Sequence, residues 1–149
     1  MKKLSIIALC FVTMAFASCN QLQQASTSDS VAKTNGNNTA KAIVGLYNTY
    51  RSTGTVSLSN SADLTNMLVV ASGYTNIRNN KENSDYMKAF ASGMVAAGAG
   101  LITTNNVQTV INTMNNLTGL NVNAATIANN VGTVTAIIQL LQVLNTTAN

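Results

Sequence analysis

From Thr39 onward, apolar residues recur every three or four positions, the spacing of one face of an α-helix. Ile43, Leu46, Tyr47 and Tyr50 form a first stripe that stops before Gly54. Leu64, Met67, Leu68, Ala71 and Ile77 form a second, with Ser59, Asn60 or Ser61 placed to cap its start. A third begins after Asn83 or Ser84, carries Met87, Phe90, Met94 and Ala97, and runs into Gly98-Ala99-Gly100. Val107, Val110, Ile111, Met114 and Leu117 make a fourth, capped by Thr104 or Asn105 and closed by Gly119. The fifth is Ile127, Val131, Val134, Ile138 and Leu141, capped by Asn123.

Strict alternation occurs in one short run, Thr55 to Ser59, which reads as an extended piece. Thr, Val and Ile favour strands, yet the helical period recurs five times and outweighs that propensity. The pattern predicts an all-α domain over residues 39–149, a compact bundle of about five amphipathic helices that bury their apolar faces against one another.

Ahead of that domain the pattern changes twice. Lys2 and Lys3 precede an uncharged run from Leu4 to Phe16 that includes Ile6, Ile7, Leu9, Phe11 and Val12. About 13 apolar residues suit the core of a secretory leader and fall short of the ~20 that span a bilayer. Residues 1–18 are therefore expected to be a signal peptide. From Asn20 to Asn38 the chain is polar and aperiodic, and residues 19–38 read as a flexible tether. A coil of that length has an r.m.s. span of roughly 24 Å.

The junction Ala15-Phe16-Ala17-Ser18-Cys19 resembles the bacterial lipobox, an aliphatic residue and two small residues before cysteine, with Phe16 replacing the usual Leu. The resemblance implies that the Cys19 thiol receives a diacylglyceryl group, that cleavage precedes Cys19, and that its new amine is acylated. Stable anchoring takes at least two lipid signals, a condition that three chains on one residue meet. Cys10 falls inside the leader, so Cys19 is the one cysteine of the mature chain and no internal disulfide forms.

The whole layout, lipobox, polar tether and Asn/Thr-rich domain, resembles small lipoproteins of Bacteroidota. Asp29-Ser30-Val31 resembles the Asp-Ser/Thr-aliphatic site of O-glycosylation in that group, which would place glycan on Ser30; a solvated linker accounts for the same three residues. Asn20, rather than the Asp of inner-membrane retention, follows Cys19, and this points to the outer membrane, facing the periplasm or the cell exterior.

Charge and chemistry narrow the function. The net charge of +4 includes Lys2 and Lys3, so the chain from Cys19 carries +2. Its basic residues are scattered without interleaved aromatics, which gives no nucleic-acid footprint. Histidine is absent, removing the commonest general base near neutral pH and the His-containing zinc sets. No catalytic, cofactor or metal site is expected. The acids after Cys19 are Asp29, Asp63, Glu82 and Asp85; Glu82 and Asp85 are the one candidate carboxylate pair, in a run, Asn79 to Asp85, that reads as an interhelical loop entering an N-cap. Tyr47, Tyr50, Tyr74 and Tyr86 offer aromatic faces for sugar, although Tyr47 and Tyr50 sit at core spacing.

Ala91 to Ile102 is rich in small residues, which resemble the close-packing pattern of membrane helices on a segment too short to span; a buried helix closely approached by a neighbour explains it as well. Three function classes follow. The first is a lipid-anchored, non-catalytic envelope module that acts through protein or glycan contacts. The second is an envelope enzyme or inhibitor acting on glycan or peptidoglycan, and the third a membrane-perturbing helical protein.

Overall fold

The computed structural model describes residues 24–117 and 131–147. Within them the chain forms five helices and no strand: α1 (Gln24–Thr53), α2 (Ser61–Asn80), α3 (Ser84–Ala96), α4 (Val107–Asn116) and α5 (Val131–Thr147). The all-α bundle read from periodicity is the observed fold. The leader, Cys19, Gly119, Asn123 and Ile127 lie outside the described residues.

α1 is 30 residues long, about 45 Å at 1.5 Å per residue. It stops where the sequence places its end. Gly54 takes φ +83° and donates its N–H to the Tyr50 carbonyl at 2.8 Å, the left-handed closure that glycine adopts without a β-carbon penalty. The run Thr55–Ser59 is an irregular connection rather than a strand, because its backbone is used locally. Ser57 donates its N–H to Asp63 Oδ2 at 3.0 Å, and Val56 turns into the core. Asn60 caps α2 by accepting from the Asp63 N–H at 3.0 Å, and Asn83 caps α3 by accepting from the Tyr86 N–H at 3.1 Å.

The expected tether does not extend to residue 38. α1 begins at Gln24, and Ala32 and Gly36 on its first half are buried. The reason is backbone proximity. A β-carbon on Gly36 would overlap the Phe90 carbonyl of α3, and one on Gly93 would overlap the Lys33 carbonyl of α1. The two glycines thus let α1 and α3 approach backbone to backbone, a form of packing that needs no large side chain. Asn35 Nδ2 adds a hydrogen bond to Tyr86 Oη at 3.0 Å. Of the small residues of Ala91–Ile102, Gly93 makes this contact, as the close-approach reading expects, while Gly98 lies against Ile102 of its own segment.

α1 and α2 run antiparallel, with Gly73 against Thr39 and Gly45 against Asn66. The interior is filled by Ile43, Leu46, Met67, Ile77, Phe90 and Met94, together with Ile102, Met114, Ile137 and the leucines of α5. Each such side chain contributes roughly 1.5–3 kcal/mol through removal from water.

Two details differ from expectation. The residue before α4 is Asn106, not Thr104 or Asn105, and it makes no side-chain cap; its amide instead accepts from the Thr103 N–H at 2.8 Å and donates to the Leu101 carbonyl at 2.9 Å, clamping the connection. On α5 the buried row is Thr133, Ala136, Ile137, Leu140, Leu141 and Leu144, with Val134 and Ile138 half-buried. The opposite face is a polar row at helical spacing, Thr135, Gln139, Gln142 and Thr146, all exposed, and it turns the expected stripe of Val134 and Ile138 to the flank of the helix.

Candidate functional site

The charged residues gather at one end of the bundle. The antiparallel register of α1 and α2 brings Asn80 level with Val31 and Ala32, so the α2–α3 turn lies beside the first turns of α1. There stand Asp29 and Lys33 on α1, Arg78 on the last turn of α2, Lys81 and Glu82 between the helices, and Asp85 and Lys88 on the start of α3, all exposed. At the opposite end, formed by the Gly54–Asn60 connection and the C-terminus of α1, Arg51 is the one exposed charge among the described residues; Asp63 is 2% exposed and bound to Ser57.

The turn itself is ordered by amides. Asn80 Nδ2 donates to the Asn76 carbonyl at 2.9 Å, and the Asn83 N–H donates to the Asn80 carbonyl at 2.8 Å. The polar run Asn79–Asp85 is thus the interhelical loop and cap that its sequence indicates. Asp85 falls in the first turn of α3, where a negative charge faces the positive end of the helix dipole. Glu82 and Asp85 share an open recess of about 680 Å³ lined by Arg78 through Asp85. Both carboxylates are exposed, on the outside of a turn with no wall to exclude water from a bound glycoside.

Two Tyr-x-x-x-Arg pairs repeat one geometry at opposite ends. Arg78 Nη1 donates to Tyr74 Oη at 3.0 Å with its guanidinium carbon 5.5 Å from the ring centroid. Arg51 Nη1 donates to Tyr47 Oη at 3.1 Å, 5.8 Å from that centroid, and Tyr47 Oη donates in turn to Asn145 Oδ1 at 3.1 Å. Each arginine is attracted to the ring quadrupole and held by the phenol oxygen. These rings are occupied by the protein's own cations, and the four tyrosines do not form one platform.

Tyr86 is half-buried and stacks on Phe90 with centroids 6.2 Å apart. Burial raises its pKa, opposed by the hydrogen bond from Asn35. A second open recess, about 520 Å³, lies between α3 and the start of α4, lined by Ala91, Val95, Thr104 and Val107 with Lys88 at its edge.

Known protein families, characterised proteins and solved structures yield no match to this chain. The site therefore rests on chemistry alone. Among the described residues no group of three or more His, Cys, Asp or Glu is arranged to hold a metal ion, and no helix is long and apolar enough to cross a membrane. Ser30 is exposed on α1, within a helix rather than a linker. The feature that the sequence reading missed is the gathering of charge at one end. Its signal was present in the spacing of Lys33 and Arg78, but only with α1 extended back to Gln24 do the two segments share an end.

Proposed function

We propose that this chain is a lipid-anchored protein of a bacterial envelope, a non-catalytic binding or structural module placed on the outer membrane through Cys19. The observation that carries the reading is the Ala15–Cys19 run at the close of a charged-then-apolar leader. Acylation of Cys19 also removes the one thiol of the mature chain. The fold supports a module rather than a loose tail, since α1 begins at Gln24, five residues after the attachment point. Its partners are envelope proteins or glycans, met through amide- and hydroxyl-rich surface.

Detergent-phase partitioning tests the anchor. The native protein is expected in the detergent phase and a Cys19→Ala variant in the aqueous phase; identical partitioning of the two overturns the reading. Mass spectrometry of the N-terminal peptide is expected to show an acylated Cys19 and no leader.

A catalytic reading has one observation in its favour, the two carboxylates and Arg78 around one recess. It requires an activity on glycan or peptidoglycan that the paired variant Glu82→Gln, Asp85→Asn abolishes. A membrane-perturbing role would require Ala91–Ile102 to leave the packing of Gly93, Met94 and Ile102 in the interior, and leakage of vesicles by the non-lipidated domain is its test.

A further inference from the structure

We infer that the end of the bundle formed by the start of α1 and the α2–α3 turn is the membrane-facing surface, resting on phospholipid headgroups, and that the Gly54–Asn60 end points away from the bilayer. The inference rests on the proposed lipidation of Cys19 and adds an orientation to it.

The first argument is reach. Five peptide units separate Cys19 from Gln24, and whatever their conformation they extend at most about 18 Å. α1 is 30 residues long, about 45 Å. A leash shorter than the rod that it holds excludes an inverted domain with the Gly54 end on the membrane and the Gln24 end away from it. Upright and recumbent orientations remain. A 19-residue tether would have allowed every orientation; the helical start of α1 removes that freedom.

The second argument is charge, which selects between those two. Lys33, Arg78, Lys81 and Lys88 stand with Asp29, Glu82 and Asp85 at the near end, four basic and three acidic side chains, all exposed. Such a surface of mixed sign complements headgroups that themselves carry an ammonium and a phosphate: the cations meet phosphate oxygens, Arg78 with the donors that its bond to Tyr74 leaves over, and the carboxylates meet the ammonium groups. The far end offers one exposed charge among the described residues, Arg51. Val31, 38% exposed on the near end, adds a modest apolar contact at the interface.

The experiment uses the full lipidated protein in phosphatidylethanolamine vesicles that contain a headgroup-linked collisional quencher. Asn79→Cys and Ser59→Cys variants, both at exposed positions, are labelled singly with a fluorophore; acylation of Cys19 leaves the introduced thiol as the one reactive group. The labels lie 20 residues apart along the α2 direction, ~30 Å, and quenching at position 79 is expected to exceed that at position 59 by at least threefold or so. Co-flotation with vesicles but equal quenching at both positions describes a recumbent or freely tumbling domain and overturns the orientation while leaving the anchor intact. Failure to float overturns the anchor, and the orientation with it.

Discussion

Between Thr39 and Thr53, α1 packs through large side chains, with Ile43, Leu46 and Tyr47 in the core. Between Gln24 and Asn38 it packs through their absence. The one large apolar residue of that half, Val31, is 38% exposed, whereas Ala32 is fully buried and Gly36 lies against the Phe90 backbone. The first half buries little apolar area, and its stabilisation comes from close contact of two backbones that interdigitate across Gly36 and Gly93. Contact distance and helix length, more than hydropathy, decide that this half belongs to the domain.

The largest effect on that contrast is expected from Phe90→Ala. Phe90 is fully buried and its ring fills the core beside the Gly36 contact, so its truncation should cost about 3–5 kcal/mol, read as the loss in unfolding free energy from urea titration, while the backbone contact with Gly36 persists. Gly36→Val comes next. The added carbons meet the Phe90 backbone, which cannot rotate away as a side chain would, and a cost near the upper end of the ~1–3 kcal/mol of overpacking is expected. A comparable loss from Gly93→Val, non-additive with the first in a double-mutant cycle, would mark the two glycines as one contact. Unchanged stability in Gly36→Val would mean that α1 and α3 do not touch there.

Replacement of Asn83 by Ala removes the acceptor for the Tyr86 N–H and should cost about 1 kcal/mol, measured in the same titration. The smallest effect concerns pH. Burial raises the pKa of Tyr86 above the unfolded value of about 10, so folding disfavours the phenolate. Its contribution is intact below pH ~10 and is lost as pH rises through the folded pKa. Thermal melting between pH 9 and 11.5 is expected to fall less steeply in Tyr86→Phe than in the native protein; parallel curves would remove Tyr86 from the alkaline transition.

The helices that pack by large side chains were legible in the sequence. All five residues of the α4 stripe, Val107 to Leu117, are buried, and Asn60 and Asn83 cap where the pattern places a helix start. The first half of α1 was not, because Ala32 and Gly36, buried against the rest of the bundle, carry no hydrophobic signal, and a small residue four positions from another marks close approach only weakly. On α5 the inward face is marked by the polar row Thr135, Gln139, Gln142 and Thr146 opposite it, a signal that a stripe drawn through Val134 and Ile138 passes over. The Asn106 clamp escaped because an amide that bonds Thr103 and Leu101 competes with capping, and nothing local announces which partner wins. Around the candidate site the polar loop was readable, but the assembly of seven charges at one end followed from the α1–α2 register and the early start of α1.

The polar stretch before Thr39 is a structural part of the bundle, which shortens the distance between Cys19 and the folded domain. Amide hydrogen exchange on the native chain measures this directly. The amides of residues 33–38 are expected to exchange far more slowly than free peptide, within about tenfold of those of residues 42–47 in the same helix. Exchange of 33–38 at the free-peptide rate, with 42–47 protected, would contradict the account.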